Sequence, residues 1–414
     1  MGPGSDAHNP HTTYSNPYLV LKDSDGFEGI GIGFSLGLGN EYICSAIRDL
    51  FPLIANQKLK DLLSNFRSFW RKLANPPQRR WLGPYCGALY MGAGVLANAL
   101  FDLFSKRQEL PLWKFLANLS PDETVQLIDF RYVEHLLTES EALRILQVNS
   151  SGRESREKQL RATGLPAYFT TWLGSDTRDL IQQIEHVWAE KGICHFKIKV
   201  GLNLAEDLNK LERIREHFGS SIELYADANQ VWSPPQAVAW VRELARFRIR
   251  WIEEPTAPDS VDGHRYVREH LRVLGIEVVT GENCPNSHVA GHFISSGSVD
   301  RFQIDACRVL GPPENLLIML VAKKFGVPIC PHAGGSGLDE LVPHLSAWNE
   351  VVLSAGSPAA ITEHVALCSR HFRNPAQVVG GLLRLPEQPG YLVGMTSEAI
   401  AKYRFPGGSY WAPA

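Results

Sequence analysis

A chain of 414 residues is long enough for one barrel and a second, smaller domain. Its 44% hydrophobic and 21% charged content are ordinary for a globular protein. A net charge of −3 supplies no electrostatic ground for binding nucleic acid or an acidic membrane, so neither is expected as a partner.

The first residues, Met1-Gly2-Pro3-Gly4-Ser5-Asp6, have no basic stretch followed by an apolar one and do not read as a signal peptide. Gly2 invites a myristoylation reading, but Asp6 stands where Ser or Thr is needed. Residues 17–36 predict a hairpin: Tyr18-Leu19-Val20-Leu21 and Gly29 to Phe34 flank the turn Asp23-Ser24-Asp25-Gly26. Helical periodicity follows over 41–50, 57–74, 86–106 and 139–148. The polar, charge-rich stretch Asn149 to Gly164 reads as a linker or an exposed insertion. The seven cysteines are odd in number and include no CxxC pair, which argues against a disulfide framework or a zinc ribbon and for a reducing compartment. The expected location is the cytoplasm, with the mitochondrion as the alternative. The longest apolar run, Leu316 to Ala322, is too short to cross a bilayer.

From there strands and helices alternate. Strands are predicted near 167–172, 195–200, 223–228, 251–255, 277–282, 301–306, 328–333 and 361–366. The helix over 204–218 places Leu204, Leu208, Leu211, Ile214 and Phe218 on one face. Another runs from Pro313 to Phe325, with proline at its start and Gly326 past its end. Eight strands separated mostly by helices argue an α/β fold closed as a parallel, TIM-like barrel behind an α+β segment. The stretch from Gly380 onward has no room for another strand–helix unit and is expected to pack back on the first domain. The expected domains are 1–164, 165–374 and 375–414.

Chemistry-bearing side chains sit where a barrel delivers them, at the C-terminal ends of strands. Asp227, Glu253 and Glu282 end three successive strands. Three carboxylates at close quarters repel unless a cation sits among them, and an all-oxygen set favours Mg²⁺. Glu254 follows Glu253 but points to the opposite face. Lys197 and Lys199 are two apart on one strand, so both enter the mouth. Beside a second ammonium and a divalent cation, such a lysine is expected to have a lowered pKa and to act as a base. Asp305 and His332 end the sixth and seventh strands, a spacing at which a carboxylate orients an imidazole. The glycines after His332 suggest close backbone approach to a ligand. His344, His364, Cys284 and Cys307 read as packing or surface residues. A lysine and a histidine around Mg²⁺ make a site for removing the proton next to a carboxylate, with the metal holding the resulting enediolate. Reprotonation would then give a racemase, and loss of a β-hydroxyl a dehydratase.

These residues resemble a known family. Lys197-x-Lys199, Asp227-Ala228-Asn229-Gln230, Trp251-Ile252-Glu253-Glu254-Pro255, Gly281-Glu282-Asn283 and His332-Ala333-Gly334-Gly335 follow the order of the mandelate-racemase branch of the enolase superfamily. Gly4-Ser5-Asp6-Ala7, Arg80-Trp81-Leu82-Gly83-Pro84, Ile128 to Tyr132, Trp172-Leu173-Gly174, Gln303 to Arg308 and Ala322 to Phe325 are similar to the L-fuconate dehydratases and fungal L-galactonate dehydratases. The resemblance implies a (β/α)7β barrel with an α+β capping domain completed by the C-terminal segment. It implies a homo-oligomeric hydro-lyase that turns an acid sugar into a 2-keto-3-deoxy acid. Asp227, Glu253 and Glu282 would bind Mg²⁺. Lys199 would be the base towards carbon 2, with Lys197 beside it. His332, supported by Asp305, would protonate the departing 3-hydroxyl. Glu363 would lie near the substrate carboxylate, and Asn229 and Trp172 would contact substrate.

The sequence departs from the family in three places. It begins after the usual first cap strand and part of the substrate loop. Tyr168 to Trp172 looks short of the family's first barrel strand. Ser336 and Asp339 stand where Val and Cys or Pro are usual. An acid-sugar epimerase on the same scaffold, or a barrel kept for binding or regulation, remain the alternative readings.

Overall fold

In a computed structural model, the structure describes residues 5–9, 13–83, 85–172, 177–355 and 360–412. Gly4, Pro84, Leu173 and Gly174 of the resembling stretches, and the readings on Met1 to Gly4, fall outside them. The chain is an α+β N-terminal region set on a parallel α/β barrel.

The N-terminal hairpin pairs Tyr18–Lys22 with Glu28–Ile32, antiparallel, with Tyr18 opposite Ile32. Its second strand lies directly on the helix Gly87–Arg107. A Cβ at Gly31 would fall 2.1 Å from the carbonyl oxygen of Val95, so glycine there is what allows the approach. That helix has the length and apolarity of a membrane span, yet 83% of the relevant window is buried inside the protein. Its polar groups tie the layers together. Asp102 accepts from the backbone N–H of Ile30 at 2.7 Å, from that of Tyr391 at 2.6 Å and from Lys106 at 2.6 Å. Asn98 donates to the carbonyl of Ala306 at 2.9 Å, and Tyr90 donates to Glu314 at 2.6 Å, which anchors the helix on the barrel.

The periodicity over 57–74 corresponds to two helices, Leu59–Ser64 and Phe66–Ala74, broken at Asn65. Helices Leu112–Asn118 and Pro121–Leu127 are additional to the expected elements. The stretch expected to be a linker is instead the helix Arg153–Thr163, entered through Gly152 in the left-handed region. It buries only Leu160, so it carries almost no hydrophobic signal. Polar contacts hold it: Glu157 meets Lys114 at 2.6 Å and Arg161 at 3.1 Å, and Arg156 donates to the carbonyl of Val351 at 3.0 Å.

Barrel strands run Leu165–Thr170, His195–Lys199, Glu223–Asp227, Ile249–Glu253, Glu277–Thr280 and Arg301–Phe302, each paired in parallel with the next. Ile329 bridges Phe302 in the seventh position, and Thr362–His364 returns to pair with the first strand. Among the described residues seven α-helices separate the eight positions, from Thr177–Lys191 to Leu338–Trp348. The first strand has six residues, begins two residues earlier than expected and pairs with both neighbours. Inside the barrel, Tyr225 stacks on Trp251 at 3.6 Å, with Tyr168, Val279 and Cys330 around them, forming a floor beneath the mouth. A small hairpin, Val378–Val379 with Leu382–Leu383, pairs antiparallel with Leu165 and Pro166, and the chain then runs back along the N-terminal region. Leu112 donates to the carbonyl of Gly390 at 2.9 Å there. All seven cysteines are free thiols.

Candidate active site at the barrel mouth

A strand carries alternate residues to opposite faces. Phe196 and Ile198 therefore go to the core, and Lys197 and Lys199 both enter the mouth. Parallel register then sets the two lysines against the acids of the neighbouring strands, because Lys199 lies opposite Asp227 and Asp227 opposite Glu253. Lys199 Nζ meets Asp227 Oδ2 at 2.5 Å. Lys197 Nζ meets Glu253 Oε1 at 2.5 Å and Glu363 Oε1 at 2.8 Å.

Asp227, Glu253 and Glu282 converge, with one ligand-capable oxygen from each lying within 4.8 Å of the others. Glu253 Oε2 is buried and has no hydrogen-bond partner among the described residues. Burial pushes Glu253 up to about 8, with Asp227, Glu363 and Glu282 adding to the rise and Lys197 opposing it. Crowded carboxylates with an orphaned oxygen are the donor set that a hard divalent cation fits. Glu254 is also buried but is turned away at φ +42° and held by Gln230 at 2.9 Å and Asn283 at 3.0 Å.

On the other side of the mouth, His332 Nδ1 lies 2.7 Å from Asp305 Oδ2, and Nε2 lies 3.2 Å from Glu282 Oε2. Burial would lower the imidazole, but Glu282 and Asp305 outweigh it and raise His332 to about 10. Asp305 is itself fixed by the backbone N–H of Cys307 at 2.6 Å. Glu363 accepts from Thr170 and from the backbone N–H of Ala333 at 2.7 Å. Burial works against its charge, yet Lys197 and His332 hold it down at about 2.

The lysines differ from the expectation. Burial lowers both, but the facing carboxylates win and raise them: Glu253, Glu363 and Asp227 act on Lys197, and chiefly Asp227 on Lys199. The expected fall weighed the second ammonium and a cation, whereas the chain's own acids are the nearer charges.

A cavity of about 620 Å³ joins these groups. Lys197, Lys199, Glu282, Asp305, His332, Glu363, Asn229 and Trp172 all line it. Asn229 adopts φ +44°, its N–H bonded to Asp227 at 2.9 Å and its Oδ1 buried without a partner among the described residues. His344 and His364 are buried elsewhere. His344 accepts from the backbone N–H of Trp113 at 3.3 Å, and His364 Nδ1 lies 3.2 Å from Asp339. Cys284 and Cys307 are buried thiols, with Cys284 pushed up to about 12 by burial.

Several lining residues were not found from the sequence. Asp6 accepts from the N–H groups of His8 and Asn9 at 2.7 and 2.8 Å and so folds the N-terminal segment over the mouth. Tyr14, stacked on Phe34 at 5.3 Å, and Arg308 are among the others. Asp6 and Arg308 had a signal, since they belong to the stretches Gly4 to Ala7 and Gln303 to Arg308.

Residues 179–399 match the family model described as Enolase C-terminal domain-like. The chain is 39% identical over 414 residues to Mitochondrial enolase superfamily member 1 of Homo sapiens, covering 99% of this chain and 93% of that protein. The crystal structure of that human protein superposes with a TM-score of 0.96, covering 99% of this chain and 94% of the other. The L-galactonate dehydratase of Hypocrea jecorina is 38% identical over 409 residues, 98% of this chain and 90% of the relative. A crystal structure of L-talarate dehydratase from Polaromonas sp. JS666, complexed with Mg and L-glucarate, has a TM-score of 0.73 at 22% identity, with 97% and 92% coverage. At that identity the likeness is one of fold.

Proposed function

This chain belongs to the enolase superfamily, in its sugar-acid dehydratase family, and we propose that it converts a six-carbon acid sugar, L-galactonate or L-fuconate, to the 2-keto-3-deoxy acid with Mg²⁺ as cofactor. One observation carries this reading: Asp227, Glu253 and Glu282 converge, and Glu282 of that triad lines one cavity with Lys199 and with the His332–Asp305 pair.

Asp227, Glu253 and Glu282 would hold the magnesium ion. When bound it supplies positive charge that competes with the lysines for these carboxylates and favours charge building up on the substrate's carboxylate. Lys199 takes the proton from carbon 2, for which its amine must be neutral; the rise in its pKa, against burial, comes chiefly from Asp227, one of the carboxylates the ion would engage. Lys197, paired with Glu363, keeps positive charge beside the substrate carboxylate. The electrons left on carbon 2 form the double bond to carbon 3 as the carbon 3–oxygen bond breaks. His332 gives its proton to the departing hydroxyl, which leaves as water, and the enol tautomerises to the keto acid. A ring raised to about 10 is protonated near neutral pH, which suits a donor. Asn229 offers its unpartnered Oδ1 to a substrate hydroxyl, and Trp172 walls the cavity.

The test is incubation of the purified chain and Mg²⁺ with L-galactonate, L-fuconate and D-configured acid sugars, followed by assay for 2-keto-3-deoxy acid. Formation of that product from an L-acid is expected. An epimer formed without loss of water, or turnover of D-configured acids alone, overturns the reading.

A further inference from the structure

The loop after the sixth strand carries a cation that this chemistry does not use. Arg308 lines the cavity, and no carboxylate pairs with it among the described residues. One nitrogen, Nη2, donates to the backbone carbonyl of Asn283 at 3.2 Å. Nη1 has only the thioether of Met91, at 3.6 Å, and Nε is buried with no partner among the described residues. A guanidinium keeps its charge and has five N–H donors, while a thioether is a weak acceptor. The side chain is therefore under-satisfied at the wall of a substrate cavity, where a ligand oxygen would complete it.

Its position says which part of a ligand that would be. Met91 belongs to the helix Gly87–Arg107, and with Ile43 and Ala88 it forms an apolar stretch within the N-terminal region's share of the cavity wall. Arg308 reaches from the barrel mouth to this wall. An acid sugar with its carboxylate at the acidic triad and its reacting carbons between Lys199 and His332 leaves its remaining carbons to be met by the rest of the cavity lining, of which this stretch is part. This stretch of wall is itself apolar, and Arg308 is the cation that reaches it, while Asp6, His8, Asn9, Tyr14 and Tyr42 line other parts of the same cavity.

We infer that Arg308 reads the tail of the substrate, donating to an oxygen on the carbons beyond the reacting pair. The inference rests on the dehydratase reading above. A purely structural role is the competing account: Asn283 donates to Glu282 Oε1 at 3.2 Å, so Arg308 could act only by steadying Asn283 and through it the metal ligand.

The experiment compares L-galactonate with 2,3-dihydroxybutanoate of the same configuration at carbons 2 and 3, which has no tail oxygen. Both acids are assayed with the unaltered chain, Arg308→Met and Arg308→Lys, and Mg²⁺ affinity is measured by calorimetry. The unaltered chain should favour the long acid by roughly a hundredfold or more in kcat/KM. Arg308→Met should lose most of that preference through a higher KM for the long acid, while kcat for the short acid and Mg²⁺ affinity stay unchanged. Arg308→Lys should recover part of it. Equal losses on both acids, or weakened Mg²⁺ binding, overturn the inference. If the unaltered chain dehydrates both acids equally well, the dehydratase reading stands and the role of Arg308 falls. If it dehydrates neither of these nor L-fuconate, both fall.

Discussion

His332 Nδ1 lies 2.7 Å from Asp305 Oδ2, and this contact decides which ring nitrogen faces the cavity. With Nδ1 engaged, Nε2 is the atom left to serve the substrate. Replacing Asp305 by Asn should lower kcat by roughly 10²- to 10⁴-fold, the usual worth of a positioned acid or base. The same roles predict that His332→Asn and Asp305→Asn still exchange the carbon 2 proton with solvent deuterium, whereas Lys199→Ala does not. Proton NMR of recovered substrate in deuterated buffer reads this directly. Exchange surviving in Lys199→Ala would reverse the assignment.

Neutralising one acid of the triad removes a ligand and a charge together. Glu253→Gln or Glu282→Gln should weaken Mg²⁺ binding by roughly a hundredfold or more, since even outer-shell partners of a metal are worth 10- to 100-fold. Activity should vanish with EDTA and return when Mg²⁺ is added back. Undiminished turnover by a demonstrably metal-free preparation would refute a metal role for these residues.

Gly281 sets the path of the chain into Glu282. It sits at φ +138°, and a Cβ there would lie 2.1 Å from the carbonyl oxygen of Gln303. Gly281→Ala should destabilise the fold by about 2 kcal/mol or more, combining backbone strain with a clash against backbone that cannot move aside. Because Glu282 follows directly, Mg²⁺ affinity should fall as well. Denaturant titration and calorimetry check the two effects, and a variant as stable as the parent would show that the turn relaxes.

Buried histidines give the fold an acid limit. Burial lowers His344 to about 3, and its Nδ1 accepts from Trp113, which only an unprotonated nitrogen can do. In the unfolded chain it titrates near 6.5, so between those values the unfolded state binds the extra proton. Its contribution is complete above pH 6.5 and declines as the pH falls, at about 1.4 kcal/mol per pH unit. Burial lowers His264 to about 4 and has the same sign. An Asn at position 344 keeps an acceptor but cannot take up a proton in this range. His344→Asn should therefore show a shallower loss of stability between pH 6 and 4.5, measured by urea unfolding at each pH. An unchanged slope would show that His344 does not set the limit.

Much of this architecture was legible because periodicity and strand-end chemistry are local signals. Lys197-x-Lys199 enters the mouth because side chains alternate along a strand, and Asp227, Glu253 and Glu282 stand where strands give way to loops. The helix Arg153–Thr163 was missed for the complementary reason. It buries one leucine, and its stability comes from Lys114 and the carbonyl of Val351, partners 43 and 195 residues away in sequence.

By itself the sequence determined which residue types reach the barrel mouth and in what order, since alternation and strand ends are properties of neighbouring residues. It could not weigh the charges against one another. Only the tertiary structure placed Asp227 against Lys199 and Glu253 with Glu363 against Lys197, so that both lysines rise where a fall was expected. The same holds for Asp6, Tyr14 and Arg308, which come together at the cavity from remote parts of the chain. Coulombic and desolvation energies depend on distances through space between residues far apart in sequence, and folding alone sets those distances.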